Sequence, residues 1–443
     1  MADTAGASGA SGASGDARDR ERPPLRTEII AGITTFFTMS YIVIVNPTML
    51  STSGTGISFS GALTATVLVC ATMTLLMGLY ADLPFGVAPG MGLNAFFTYT
   101  VILQAGVPWP IALGIVFWAG VLFLVVSTTP LRESVAMAIP ASLGAATAAG
   151  IGLLLTFIGL RNAGFIADHP TTLVGVGPLD HRTLVALLAL GIIVWLTRRG
   201  NPAAYLASIF AVTVIAWVAG WVPQPERWVS PPDFSSVFLK LDVIGALQLT
   251  LAPAIITLMM TDLFDSISTF IGVAQASRLV DEHGRPRNLR RGLIVDAFAT
   301  AGAGLFGSSP GTAYVESVAG IRMGGRSGRT AVVTALCFVP CLFIAPLAAA
   351  VPPYATAAVL IMVGVAMFRP IVEVEFDRLE IGVPAFATLI LIPLTFSITQ
   401  GILWGFILYS ALHVVAGRVR DLSAGVLALA GVSAALLLLE RIH

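Results

Sequence analysis

Four acidic residues, Asp262, Asp265, Asp296 and Glu316, stand inside long apolar runs. A carboxylate at the centre of a bilayer costs about 3 kcal/mol even on lenient insertion scales, so each is a candidate for chemistry. No Lys or Arg falls within the same runs to neutralise them, which leaves water, a bound molecule or one another as partners. Asp262 and Asp265 are three apart in TLMMTDLFDSISTFIG, with Thr269 four further on, so the three share one polar face of an apolar helix. Like charges this close repel when both are ionised, which suits a carboxyl that takes up and releases a proton. The plainer alternative is a hydrogen bond from either Asp to a neighbouring helix. Glu316 falls in the middle of a short helical run, where only a cavity hydrates it. Asn94 holds the matching earlier position and offers both a donor and an acceptor, or else a simple interhelical bond. Asp296, five residues past Arg291, reads as structural, Glu28 as a helix-start charge, and His413 as a packed side chain.

The segments that position these residues are marked by Pro-Gly, which occurs only at Pro89-Gly90 and Pro310-Gly311, half a chain apart. Each opens a stretch with one strongly polar residue: APGMGLNAFF with Asn94 and SPGTAYVESVAG with Glu316. The run 311–321 makes only ~16 Å of helix, about half a bilayer core. The preceding AGAGLFGSSP suits extended backbone, which is tolerated at membrane depth only inside protein or along a cavity. Short, Gly/Pro-interrupted segments at matching places in two halves point to a transporter's substrate site; two ordinary Pro kinks are the bland alternative.

Composition says what surrounds these segments. Of 443 residues, 56% are hydrophobic and 11% charged, with a mean hydropathy of +0.89. Soluble domains carry about 25% charged residues, so lipid must solvate most of this chain. A secreted protein, a disordered protein and a nucleic-acid binder are excluded together, the last also by a net charge of zero. Three cysteines, Cys70, Cys337 and Cys341, lie in apolar runs with no metal or disulfide spacing, and nothing calls for a cofactor. The expected architecture is an all-α polytopic membrane protein with about 14 spans. The first seven are 28–48, 60–80, 84–103, 108–129, 141–159, 182–197 and 203–221. The second seven are 249–272, 291–307, 311–321, 330–351, 354–368, 381–399 and 401–417. Seven being odd, the second half starts from the opposite side, so the repeats are inverted. Residues 1–25 are too poor in apolar side chains to order and read as a cytoplasmic tail; 421–443 is an apolar tail that either crosses the membrane or lies on it. With the N-terminus inside, nineteen Arg, from Arg18 to Arg420, fall on the cytoplasmic side, and only Arg161, Arg182, Arg227 and Lys240 fall outside. That bias fits a multi-pass protein of the cell membrane.

A site of carboxylates, an amide and the aromatics Phe96, Phe97 and Tyr314 disfavours anions. It suits a planar neutral heterocycle with an N–H/C=O edge; an amino acid or an inorganic cation also fits the chemistry.

The runs RTEIIAGITTFFTMSYIVIVNPTML (26–50), PFGVAPGMGLNAFF (84–97), TDLFDSISTFIGVA (261–274) and GSSPGTAYVESVAGIRMGGRSG (307–328) resemble the AzgA-type purine permeases. These belong to the nucleobase–cation symporter family that also holds xanthine and uracil permeases. The resemblance, spanning about 25–420, implies a core domain (26–130 and 249–351), a gate domain (131–248 and 352–420), and short strands ahead of broken helices 3 and 10. It implies that Asn94, Asp262, Asp265 and Glu316 bind a purine (hypoxanthine, guanine or adenine), with Phe96 and Tyr314 as aromatic neighbours. Glu316 and one of the two Asp would couple H⁺, or Na⁺, to import by alternating access. Uracil-type relatives carry a His in the eighth helix and this chain has none there, so carboxylates alone must serve. A homodimer through the gate domain is a further implication. The rivals are a uracil or xanthine permease, an anion exchanger or channel of the same fold, and an intramembrane aspartyl protease. The last is disfavoured because no GxGD-like run surrounds the aspartates.

Overall fold

The computed structural model describes residues 23–129, 140–277, 279 and 287–442; the expected tail 1–25 lies almost wholly outside them. In chain order the elements begin with α1 (Leu25–Met39), α2 (Ile42–Leu50), α3 (Phe59–Leu79), β1 (Val87–Pro89), α4 (Met91–Ala95), α5 (Trp109–Thr128) and α6 (Ala141–Asn162). Then come β2 (Ile166–His169), β3 (Leu173–Val176), α7 (His181–Arg198), α8 (Ala204–Val218), α9 (Ala252–Ser277) and α10 (Leu289–Phe306). The chain continues with β4 (Gly311–Ala313), α11 (Ser317–Arg322), α12 (Gly328–Phe338), α13 (Ala345–Ala349), α14 (Pro353–Phe368), α15 (Leu379–Thr395), α16 (Ile398–Val415) and α17 (Ala424–Ile442).

Among the described residues, eight helices are long and apolar enough to cross a membrane, and four shorter apolar helices accompany them. The other expected spans are α10, diluted by Arg290, Arg291 and Asp296, and the two strand-led segments. All fourteen runs contain regular structure at their expected places, several of them broken. Span 28–48 divides at Ser40–Tyr41, and span 84–103 becomes β1, α4 and a wide π-helix over Phe96–Gln104. Span 330–351 becomes α12, a 3₁₀ turn and α13. The hairpin of β2 and β3 is a feature that hydropathy does not announce.

The two Pro-Gly sites meet. β1 and β4 pair antiparallel, with Val87 opposite Ala313 and Pro89 opposite Gly311, and the Gly90 N–H donates to Pro310 O at 2.9 Å. All six strand residues are buried. A two-stranded crossing leaves outer backbone groups that no water can satisfy at this depth. Each edge is closed by a threonine from a preceding helix. Thr74 on α3 bonds both the N–H and C=O of Val87, at 2.8 and 3.0 Å, and Thr300 on α10 donates to Gly311 O at 3.0 Å.

The helices pack in two groups. In one, α1 lies on α11 and α12, α3 on α10 and α12, and α5 on α9 and α10; in the other, α6 lies on α14 and α15, α15 on α16, and α7 on α8 and α14. Lipid offers no hydrophobic drive between helices, so close approach depends on small residues. A Cβ added at Gly328 would lie 1.9 Å from Gly78 O, joining α12 to α3, and one at Gly152 would lie 2.6 Å from Gly364 O, joining α6 to α14. Glu28 is no surface helix-start charge. It is buried and accepts from the Ser327 hydroxyl at 2.9 Å and from Thr330, fastening α1 to the start of α12.

Candidate functional site

Strand β4 ends at Ala313 and α11 begins at Ser317, so Glu316 caps the half-helix instead of sitting in its middle. The difference is physical. A capping side chain sits ahead of the first turn, beside the unpaired N–H groups there, whereas a mid-helix one would lie on the helix flank. Glu316 is half-buried, and its Oε1 accepts a 2.7 Å hydrogen bond from the Tyr41 hydroxyl, delivered by the break between α1 and α2. The Glu316 charge also acts on Asp265 of α9, itself half-buried, and on Tyr314. Tyr314 is held by donating to Pro89 O. The Tyr41 ring in turn meets Tyr205 of α8, with centroids 5.1 Å apart, so this cluster touches the other helix group.

Asp262 goes elsewhere. It is fully buried behind β4, as is Asp296 on α10. The Thr300 hydroxyl that bonds Gly311 O also lies against Asp262, while Ser266 and Thr312 bond Asp296, Thr312 at 3.3 Å. The two carboxyls act on each other electrostatically and both feel Asp265. Oδ1 of each is buried with no hydrogen-bond partner. Asp296, read from sequence as structural, thus belongs to the charged centre and makes its bonds there.

Asn94 joins neither group. Fully buried, it accepts from the Ser309 hydroxyl at 2.7 Å; the same hydroxyl lies 3.2 Å from Asn46 Oδ1, and Asn46 donates to Thr66 at 2.8 Å and Ser308 at 3.3 Å. Phe96 is buried in the apolar core. Of the six residues expected at the site, three (Asp265, Tyr314 and Glu316) interact electrostatically around the start of α11. Asp262 lies behind the strand crossing, Asn94 forms an amide cluster, and Phe96 packs. Sequence reading missed Tyr41, Asn46, Ser309 and Thr300. Tyr41 and Asn46 do lie in the polar-punctuated run TMSYIVIVNP, a signal weaker than a membrane acid.

Residues 26–404 match the model of Xan_ur_permease, the "Permease family". The chain belongs to this family. The permease is 41% identical over 406 residues to the adenine permease AdeP of Escherichia coli K12, covering 91% of each chain. It is 37% identical over 411 residues to the guanine/hypoxanthine permease PbuG of Bacillus subtilis, covering 89% of this chain and 92% of that one. Among solved structures, the transmembrane domain of the cyanobacterial bicarbonate transporter BicA superposes with a TM-score of 0.67 at 20% identity, over 86% of this chain and 97% of that one. SLC26A9 superposes at 0.60 and 12% identity, over 89% and 66%. At such identities the likeness is one of fold: two inverted repeats of membrane helices crossing through short strands. The permease is a multi-pass membrane transporter and not an enzyme.

Two open cavities flank the permease's second helix group. One of about 510 Å³ is lined by Thr48, Thr52, Tyr99, Arg161, Asn162 and Phe396 among others, and none of the four membrane acids reaches it. The second, about 420 Å³, continues from Asn162 to His181, Arg182 and Trp221. Among the described residues no three His, Cys, Asp or Glu side chains gather as a metal site.

Proposed function

We propose that the permease imports purine nucleobases with a coupled proton, by alternating access. The feature that supports this reading is the hydrogen bond from Tyr41 to the Glu316 carboxylate at the start of α11, beside the strand crossing, with the half-buried Asp265 electrostatically linked to it. Carboxylates accept from ring N–H groups, Tyr314 offers a ring face, and the half-helix start favours the acceptor that holds the base. The names of the relatives, an adenine permease and a guanine/hypoxanthine permease, support the same substrate class.

Asp265 and Glu316 grip the base in this reading. The Asp262–Asp296 pair holds the proton behind β4, because two buried carboxyls that repel each other are most readily housed with at least one of them protonated. Gripping the base and loading the proton must favour the same conformer, or no coupling results. The helix group holding α1, α3, α5 and α9–α12 acts as core, and that of α6–α8 and α14–α16 as gate, with Tyr41–Tyr205 among the contacts between them. The arginine bias supports a cytoplasmic N-terminus in a cell whose surface membrane holds the permease, with the Arg161 cavity opening outside. The test is uptake of labelled adenine, hypoxanthine and guanine with and without a protonophore. Purine uptake that collapses with the proton gradient is the expected result; undiminished accumulation overturns the coupling, and uptake of none of the three overturns the substrate class.

A further inference from the structure

The 510 Å³ cavity has the volume of a small-molecule site, yet none of the acids described above lines it. It lies between the two helix groups. α2 contributes Thr48, the π-helix after α4 contributes Tyr99, α6 contributes Arg161 and Asn162, and the α15–α16 corner contributes Phe396. Its wall carries a cation, Arg161, where the inner cluster carries carboxylates. The hydroxyls of Thr48, Thr52 and Thr356 donate to the carbonyls of Ile44, Met49 and Pro353 at 2.8, 2.7 and 2.9 Å. Arg161 and Asn162 are the nitrogen-bearing side chains on its wall, beside the hydroxyls of Ser51 and Tyr99. Among the described residues Arg161 makes no ion pair with a carboxylate. The aromatic wall is held in place. Phe396 stands in the left-handed region (φ 52°), its carbonyl takes a 2.6 Å bond from Thr100, and its ring meets Phe157 and Tyr99 at 5.4 and 6.4 Å.

From this geometry we infer that the cavity is an antechamber for the substrate, in which Arg161 reads an exocyclic carbonyl oxygen and so favours oxopurines over adenine. The inference rests on the purine reading above and deepens it. The inner carboxylates accept from ring N–H groups, and the antechamber donates to oxygen, so the two stations read complementary edges of one flat molecule. A guanidinium meets the carbonyl of an oxopurine as donor to acceptor; it meets the amino group of adenine as donor to donor, which neither group can satisfy. The ring face lies against Phe396 and Tyr99 while it is read.

The experiment is labelled-adenine uptake by cells carrying the full-length permease, with unlabelled hypoxanthine as competitor. It is run for the wild type, Arg161→Ala and Arg161→Lys. Expected is a rise of about tenfold in the hypoxanthine inhibition constant for Arg161→Ala, the scale of one lost charged hydrogen bond. The KM for adenine should move less than twofold, and Arg161→Lys should restore part of the hypoxanthine affinity. Retained adenine uptake doubles as the control for folding and insertion. Equal shifts for both bases, no shift for either, or a wild type with which hypoxanthine does not compete overturns the antechamber while leaving purine transport intact. A wild type that takes up neither base overturns the transport reading itself, and this inference with it. If Arg161→Ala fails to reach the membrane, Arg161→Gln, which keeps donors but no charge, decides by the same ratio.

Discussion

The two sides of the strand crossing are built alike and furnished differently. On one side Asn46, Asn94, Thr66, Ser308 and Ser309 form a neutral network whose members bond one another. On the other, Asp262 and Asp296 keep one unpartnered oxygen each, while Asp265 and Glu316 stay partly open. A neutral network can be sealed in the core even with a weak contact such as Asn94 Nδ2 to Met91 Sδ at 3.9 Å, because no charge is left unpaired. Carboxyl groups cannot be sealed without a proton, a cation or a donor-bearing guest. Both clusters draw on both repeats, Ser308 and Ser309 joining the neutral one and Tyr41 the charged one, so it is side-chain charge that distinguishes them.

The sharpest way to break this comparison is Glu316→Gln. Removing the charge that Tyr41 holds should lower purine uptake by about 100-fold with normal membrane insertion, because an acceptor-only group becomes half donor toward the base. Full activity would make the charged side as structural as the neutral one. Next is Asp296→Asn, which should abolish accumulation against a gradient and flatten its pH dependence, while exchange of labelled for unlabelled base persists. Loss of exchange and accumulation together would assign Asp296 to folding or base binding instead. On the neutral side, Asn94→Ala should chiefly cost stability, about 1–3 kcal/mol for the lost Ser309–Asn94 hydrogen bond and the space left behind. A lowered Tm with KM within threefold would be the signature, and a large KM change at unaltered Tm would return Asn94 to the binding site. The smallest effect belongs to Tyr41→Phe, which removes one hydrogen bond to Glu316 and should raise KM about threefold to tenfold.

Much of this organisation is legible in the chain. Apolar runs place the helices because burial in lipid is a local, additive property, and the two Pro-Gly dipeptides flag the crossing because extended backbone there needs them. The membrane acids announce themselves by their cost. The partners do not: Tyr41 and Glu316 are 275 residues apart, Asn94 and Ser309 are 215 apart, and hydroxyl side chains are too common in apolar helices to stand out. Glu28 misleads for the same reason. At the start of a helix it resembles a surface charge, and only the approach of Ser327 and Thr330 buries it. Glu316 shifts from mid-helix to helix cap because hydropathy cannot tell three residues of strand from one turn of helix.

By itself, then, the sequence determines that this is an inverted-repeat membrane protein with carboxyl groups at its crossing, since hydropathy, charge bias and spacing act along the chain. The tertiary structure decides how those carboxyls divide. Antiparallel register sets Thr312 toward Asp296, and a slip of one residue would turn it to the other face. Whether an acid lines a chamber or lies sealed behind a strand depends on contacts between halves that no local pattern encodes.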